Sequence, residues 1–228
     1  QLPKYADSMV EAGVDRINIS LDSLQADKFK ELTRIGELST VLAGIDAAKK
    51  AGFKRIKLNA VIMKGRNDDE IIDLAKFAIE HDLDISYIEE MPLGQVSHDR
   101  HESFCSSDDV LAILQTAFEL HASTSNTGGP SRYYQIAGTS SKVGFISPHS
   151  HNFCESCNRV RMTTEGRLLL CLGQEHSVDL RDVIRRYPGD SERLKQAIID
   201  SMEIKPEGHD FNIKEQAVLF RHMSVTGG

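Results

Sequence analysis

The chain has 228 residues, of which 40% are hydrophobic and 27% charged, and this composition is typical of a globular protein in aqueous solution. Its formal net charge of -7 argues against a general nucleic-acid-binding surface. No apolar run approaches the roughly 20 residues of a membrane span and no signal peptide is visible, so we expect a cytoplasmic protein without a membrane partner.

Helices and strands alternate along the first part of the chain. Asn67 with Glu70 predicts a capping box at the start of one helix, and Ser106 or Ser107 predicts the cap of another. Alternation of this kind predicts a parallel sheet, either open or closed into a barrel. The predicted elements are a helix over 3–12 ended by Gly13, a strand over 16–22, a helix from Ser39 to about Ala51 ended by Gly52, a strand over 55–62, a helix after Asn67, a strand over 85–91 and a helix after Ser107.

The first two strands carry polar residues on one face. A parallel strand that is covered on both faces is nearly continuously apolar, so this pattern favours a barrel with a ligand in its lumen. The alternative is that the polar face lies at a sheet edge or a barrel end. The apolar set is Ile17, Ile19 and Leu21, then Ile56, Leu58, Ala60 and Ile62, whereas the other face carries Asn18, Ser20 and Asp22, then Lys57, Asn59 and Val61.

The remainder of the chain differs in composition and suggests a second domain. A polar linker over 123–131 is followed by a predicted antiparallel hairpin over 132–138 and 142–148, the cysteine-rich stretch, and helices over about 179–187 and 190–203. We therefore expect one domain over 1–122 and a second over 123–228.

Three of the four cysteines have the spacing Cys-x2-Cys-x13-Cys, at Cys154, Cys157 and Cys171. A hairpin with its turn at Glu165 and Gly166 would return Cys171 to the Cys pair, so the stretch predicts a metal centre with three protein ligands. Spacing alone favours zinc, and an iron–sulfur cluster stays open as the second interpretation. The candidates for a fourth zinc ligand are His149, His151, His176 and, more weakly, Cys105.

Basic residues accompany this cysteine stretch. From 132 to 171 there are five Lys or Arg and two acidic residues, against the acidic balance of the whole chain. Arg159 and Arg161 are two residues apart, so on a strand both side chains would face one side, where they could bind a phosphate or a purine edge. The alternative is a solvated strand face.

Five stretches together resemble the GTP 3′,8-cyclase family of radical-SAM enzymes, also called molybdenum cofactor biosynthesis protein A. The resemblance implies the C-terminal part of an incomplete parallel βα (TIM-like) barrel, followed by a small α+β domain with an auxiliary iron–sulfur cluster. The stretches are RINISLDSL (16–24), IKLNAVIMKGRND (56–68), YIEEMPLG (87–94), CESCNRVRMTTEGRLLLCL (154–172) and the terminal Gly227-Gly228.

The resemblance also implies an activity and its cofactors. The activity is cyclisation of GTP to (8S)-3′,8-cyclo-7,8-dihydroguanosine 5′-triphosphate, the first step of molybdenum cofactor biosynthesis. A [4Fe-4S] cluster on Cys154, Cys157 and Cys171 would leave one iron for guanine. S-adenosylmethionine would bind a second [4Fe-4S] cluster on an N-terminal Cys-x3-Cys-x2-Cys that these 228 residues lack, so we expect no turnover from them alone. The implied partners are a second copy, as a homodimer, and cyclic pyranopterin monophosphate synthase downstream.

Site residues follow from the resemblance by position. Ser20 and Met91 would contact S-adenosylmethionine, and Lys57 the GTP triphosphate. Arg159, Val160 and Arg161 would line the GTP pocket, while Gly227 and Gly228 would assist the radical step beside the two arginines. Members of the family often carry Arg where this chain has Ser86. The alternatives are another radical-SAM enzyme with an auxiliary cluster, such as a peptide modifier, or a non-enzymatic zinc-binding module.

Overall fold

The computed structural model describes residues 1–212, so the predicted tail residues Gly227 and Gly228 lie outside the described residues. The described chain forms two compact units, Gln1–Glu90 with Glu102–His151, and Met91–His101 with the residues from Asn152 onward. The helices are α1 (Leu2–Glu11), α2 (Ala26–Thr33), α3 (Leu38–Ala51), α4 (Ile71–Glu80), α5 (Arg100–Ser103), α6 (Ser107–Gln115), α7 (Leu180–Arg186) and α8 (Ser191–Glu203). The strands are β1 (Arg16–Ser20), β2 (Arg55–Ile62), β3 (Asp84–Glu89), β4 (Leu120–Ser123), β5 (Arg132–Ile136), β6 (Lys142–Ile146), β7 (Arg161–Met162), β8 (Arg167–Leu169) and β9 (Ser177–Asp179).

A six-stranded sheet in the order β1-β2-β3-β6-β5-β4 forms the centre of the first unit. Strands β1, β2, β3 and β6 are parallel, as the alternation of helices and strands predicted. The predicted hairpin is confirmed as the antiparallel pair β5–β6, and β6 joins it directly to β3. Residues 123–151 therefore belong to the first unit by their packing, and the domain boundary proposed at 122/123 falls inside that unit.

The two faces of the parallel strands differ as the pattern predicted. Ile56, Leu58, Ala60 and Ile62 are all below 9% exposed and belong to the main core, with residues of α3 and α4. The alternate residues of β2 are exposed or half-buried. On β2 the free energy of burial is therefore gained mainly on one face, and the polar residues of its other face keep partial access to solvent. Strand β3 is buried on both faces, Ser86 included.

Two predicted helix caps are wrong. Ser39 lies inside α3, which follows Glu37 without a side-chain cap. The Asn67 side chain does not cap a helix; it accepts from the Met63 amide and donates to the carbonyls of Asp22 and Val61. The Asn67 side chain serves tertiary contacts that local spacing cannot reveal, whereas Ser39 is exposed on α3. The cap at Ser106 is confirmed, because Ser106 and Asp109 form a capping box at the start of α6.

The sequence did not predict α2, β4 or β9. Helix α2 buries only Phe29, so its apolar period is short. Strand β4 follows α6 at once and pairs with β5, a contact between residues distant in sequence.

The second unit contains a three-stranded antiparallel sheet, β7-β8-β9, with helices α7 and α8. Its buried core consists of Leu168, Leu170 and Leu180. The predicted hairpin is confirmed as β7–β8, and Gly166 in its turn has a φ of 81°. Such a positive φ favours glycine at this position. No helix among residues 1–212 is long and apolar enough to cross a membrane.

Candidate substrate and cofactor sites

A row of polar side chains crosses the polar face of the parallel strands in the first unit. Ser20 on β1 is in register with Asn59 on β2, and Asn59 is in register with Ser86 on β3. Ser20 is exposed, Asn59 is half-buried and Ser86 is fully buried. The row, which we call the polar row, therefore leads from solvent into the sheet, as expected for a ligand-binding face.

Lys57 lies on the same face as the polar row, two residues before Asn59. Its Nζ donates to the Tyr133 hydroxyl at 3.2 Å and lies 5.8 Å from the centre of the Tyr133 ring. Burial opposes ionisation of Tyr133, but the hydrogen bond to Thr127 and the charge of Lys57 outweigh it and lower the pKa of the phenol. No carboxylate among residues 1–212 pairs with Lys57, so this half-buried cation is suited to an anionic ligand.

Ser86 occupies the position at which relatives of the resembled family often have Arg. Its hydroxyl is 3.0 Å from the Ser131 hydroxyl, and both residues are buried. Gly144 makes this pair possible, because a Cβ there would meet Ser131, Ser86 and the Tyr133 ring at less than 3.0 Å. The space beside Lys57 is thus filled by two small hydroxyls and an aromatic ring.

Glu89 ends β3 and was missed as a site residue by sequence reasoning. It is 2% exposed, and its carboxylate accepts hydrogen bonds from the Ser107 amide, the His149 amide and both the amide and the hydroxyl of Ser150. Although burial opposes ionisation of Glu89, these donors together lower the pKa of its carboxyl. The ionised carboxylate therefore joins the ends of β3 and β6 to the start of α6. Four donors on one acidic residue at a strand end can be found only from the structure.

Met91 follows Glu89 by two residues and is the first residue of the second unit. It is half-buried, and its carbonyl accepts from the Leu93 amide at 2.7 Å. The predicted strand over 85–91 included Met91 as its last residue, whereas β3 ends at Glu89 and leaves Met91 two residues beyond it.

The three spaced cysteines all lie in the second unit. Cys154 begins a single 3-10 turn, in which the Cys157 amide donates to the Cys154 carbonyl at 3.0 Å, and Cys171 follows β8. All three are free thiols and half-buried. Burial raises the pKa of the Cys171 thiol, and the charges of Cys154 and Cys157 raise it further, which requires the three sulfurs to be near one another.

Three accessible thiols on one hairpin and one turn are suitable donors for an iron–sulfur cluster. In a cubane iron–sulfur cluster each thiolate binds a different iron. The protein ligands are therefore farther apart than ligands that share a single ion. No three His, Cys, Asp or Glu side chains within residues 1–212 converge on a single-ion site. Two of the candidate zinc ligands have other surroundings. His151 pairs with Asp108 at 2.9 Å, and Cys105 is 2% exposed with its pKa raised by burial to about 11.

Arg159 and Arg161 lie beside the Cys pair, and both are half-buried. Burial lowers the pKa of Arg161, and the nearby charge of Arg159 lowers it further. The Arg159 guanidinium is 5.4 Å from the centre of the Phe153 ring and has no carboxylate partner in the described part of the chain. Two like charges close together are suited to binding an anion. Val160 between them is exposed.

A segment over 205–211, which we call the strap, packs on the cysteine hairpin. The Lys205 ammonium donates to the Leu170 carbonyl at 2.8 Å, directly before Cys171. Gly208 lies against Cys154, since a Cβ there would be 3.6 Å from its sulfur. No sequence pattern predicts this contact, because the strap has neither periodicity nor a recognised motif.

Comparison with protein-family models finds two matches that together cover most of the chain. The radical SAM superfamily model matches residues 1–78, and the molybdenum cofactor synthesis C model matches residues 83–211. Similar curated proteins include the GTP 3′,8-cyclases of Pseudomonas putida (strain W619), 60% identical over 230 residues, Saccharophagus degradans, 57% identical over 229, and Marinobacter nauticus, 56% identical over 229. Each alignment covers 100% of this chain and 69% of the relative.

The chain belongs to the GTP 3′,8-cyclase family. Within this family member, the radical-SAM segment contains Ser20 and Lys57 on β1 and β2. The molybdenum cofactor synthesis segment contains Met91, both arginines and the three spaced cysteines. The resemblance recognised from motifs is thereby confirmed over the whole chain.

Proposed function

We propose that this protein cyclises GTP to (8S)-3′,8-cyclo-7,8-dihydroguanosine 5′-triphosphate, the first step of molybdenum cofactor biosynthesis. The observation that supports the proposal most strongly is the 60% identity to a GTP 3′,8-cyclase across the whole chain. The separated cationic and thiol sites agree with it, since the substrate is an anion and the chemistry requires iron–sulfur clusters. We further propose that the enzyme works as a homodimer and supplies cyclic pyranopterin monophosphate synthase.

The parallel unit is proposed to be part of an incomplete βα barrel that binds S-adenosylmethionine and the triphosphate. S-adenosylmethionine on its own cluster would supply the radical that removes hydrogen from the ribose C3′. Ser20, exposed at the solvent end of the polar row, and Met91, beyond the end of β3, would hold S-adenosylmethionine. Lys57 would bind the triphosphate, because it is a half-buried cation whose hydrogen bond to Tyr133 directs its ammonium.

The second unit is proposed to carry an auxiliary [4Fe-4S] cluster on Cys154, Cys157 and Cys171. Three thiolates leave one coordination position of such a cluster for guanine. Arg159 and Arg161 would bind the nucleotide by charge-assisted hydrogen bonds, and Val160 would contact it through the exposed backbone and side chain. Gly227 and Gly228 would assist the radical step.

The test is GTP binding and conversion by the anaerobically reconstituted holoenzyme. With the implied N-terminal Cys-x3-Cys-x2-Cys motif present in the holoenzyme, we expect a brown protein that forms cyclised product, and GTP binding that is weakened by Arg159→Ala and by Arg161→Ala. Loss of a charge-assisted hydrogen bond corresponds to roughly a tenfold or larger loss of affinity. Arg186→Ala is the matched control, because Arg186 is exposed on α7 and pairs with Asp182.

Two results would contradict the proposal. A colourless protein that holds stoichiometric zinc and takes up no iron would support the zinc-binding module. A brown protein that binds peptide substrates and not GTP would support another radical-SAM activity.

A further inference from the structure

One polar atom on the substrate face has no partner inside the protein. The side-chain oxygen Oδ1 of Asn59 is fully buried and receives no hydrogen bond from any residue within 1–212. A buried amide oxygen without a donor is costly, because it has lost its water and gained nothing in return. Such an atom in a native protein indicates a missing donor.

The surroundings of Asn59 do not provide that donor. Asn59 is in register with Ser20 on β1 and with Ser86 on β3, and adjacent strands lie roughly 4.8 Å apart. The Ser86 hydroxyl is already paired with Ser131 at 3.0 Å. Ser20 is exposed and is proposed to serve a different ligand. The donor must therefore come from a molecule that enters along the polar row.

The position of Lys57 identifies which part of the nucleotide reaches Asn59. Both residues lie on the same face of β2, two residues and so roughly 6.6 Å apart. If Lys57 binds the triphosphate, the group adjoining the phosphates lies at about this distance. In a nucleoside triphosphate that group is the ribose, and its hydroxyls are hydrogen-bond donors, whereas the ionised phosphate oxygens only accept.

We propose that Asn59 Oδ1 accepts a hydrogen bond from a ribose hydroxyl of the bound nucleotide. This inference rests on the proposed function and adds a residue that contacts the sugar itself. A hydrogen bond to a ribose hydroxyl would fix the rotation of the sugar between base and phosphates. Asn59 would thus orient the C3′–H bond and select ribonucleotides over deoxyribonucleotides.

The experiment measures equilibrium binding of GTP, 2′-deoxy-GTP and 3′-deoxy-GTP to the anaerobically reconstituted holoenzyme. Wild type is compared with Asn59→Ala and with Asn59→Leu, which keeps the branched shape of the side chain and removes its polar atoms. We expect both variants to bind GTP roughly three- to tenfold more weakly, which is the usual effect of one neutral hydrogen bond. Both variants should bind one of the two deoxynucleotides as well as wild type does, because that analogue lacks the hydroxyl that Asn59 would contact.

The stability of the variants distinguishes a ligand contact from a structural role. Asn59 Oδ1 has no internal hydrogen bond to lose, so thermal unfolding of Asn59→Leu should occur at no lower temperature than that of wild type. Asn126→Ala is the matched control, because Asn126 is an exposed loop amide and should leave all three affinities unchanged.

Three outcomes would overturn the inference. These outcomes are equally weakened binding of all three nucleotides, unchanged binding of all three, and weakened binding of S-adenosylmethionine with GTP binding unchanged. A wild-type protein that binds no GTP would instead overturn the proposed function, and the inference with it.

Discussion

The Lys57 ammonium donates a hydrogen bond to the Tyr133 hydroxyl at 3.2 Å and faces the ring of the same residue. Lys57 is on the parallel strand β2, whereas Tyr133 is on β5 in the antiparallel part of the sheet. The hairpin β5–β6 therefore contributes to the polar face of the parallel strands as well as to the core. Tyr133 is 4% exposed, so the hydroxyl that receives Lys57 is held in place by packing.

We predict that Tyr133→Phe weakens GTP binding roughly three- to tenfold, because the lysine loses the partner that directs its ammonium. In a Lys57→Met background the same substitution should have little further effect, since the two residues act together. Binding of GTP by wild type, both single variants and the double variant measures this coupling. Tyr134→Phe is the control, because Tyr134 packs edge-on against Phe145. Additive losses in the double variant would show that Tyr133 acts independently of Lys57.

The four cysteines should differ in reactivity. In metal-free protein at pH 8, Cys105 should resist iodoacetamide, because its pKa of about 11 leaves roughly one thiol in a thousand ionised. Cys154, Cys157 and Cys171 should be labelled, and reconstitution with iron and sulfide should protect these three. Mass spectrometry of labelled peptides reads the pattern, with Cys105→Ser as the control. Protection of fewer than three would remove a cysteine from the proposed ligand set.

We predict that Glu89→Gln destabilises the protein by about 2–3 kcal/mol at pH 7, because the amide nitrogen would replace one carboxylate oxygen and present N–H groups to two of the four existing donors. The folded pKa of Glu89 is lowered, so the ionised carboxylate contributes stability above its unfolded pKa of about 4.3. That contribution is lost as pH falls through the lower folded value. Urea unfolding at several pH values should therefore show wild type and variant converging in acid.

Glu80→Gln serves as the control for that series, since Glu80 is exposed at the end of α4. It should leave the unfolding free energy within experimental error of wild type. A difference between wild type and Glu89→Gln that stays constant down to the lowest pH would show that the charge of Glu89 contributes nothing.

Gly144→Ala should destabilise the protein by about 1–3 kcal/mol, as overpacking of a buried site does. The added methyl would meet Ser131, Ser86 and Tyr133 at less than 3.0 Å. Thermal unfolding gives the stability, and GTP binding reports displacement of Tyr133. Gly129→Ala is the control, because its nearest neighbour would be 3.7 Å from the new Cβ. Equal stability of the two variants would mean that the strands around Gly144 can separate without cost.

Sequence reasoning predicted the features that repeat locally. The alternation of Leu58 and Ala60 with Lys57 and Asn59 predicted both faces of β2, because side chains in a strand alternate. The spacing from Cys154 to Cys171 predicted a returning hairpin, and the structure confirms it. Family motifs supplied the activity, which spacing alone did not, since zinc was the preferred interpretation of the cysteines.

Features that depend on distant partners were not predictable. Asn67 has the spacing of a helix cap, but its amide is used by Asp22 and Val61, on segments that only the fold brings together. Glu89 resembles any acidic residue after a strand until its four donors are known. The unpaired amide oxygen of Asn59 likewise depends on its surroundings. A sequence pattern does not show which side chains will lack a hydrogen-bond donor after folding.

The small residues around Ser86 have a consequence for the divergence of this family. An arginine at position 86 needs the volume now occupied by the hydroxyl of Ser131 and the ring of Tyr133. Gly144 has no side chain, so no smaller residue at position 144 could make room. Substitutions at positions 86, 131 and 144 are therefore expected to be tolerated only when they occur together. Relatives with Arg at the first position should carry correlated replacements at the other two, and a single Ser86→Arg exchange in this chain should be poorly tolerated.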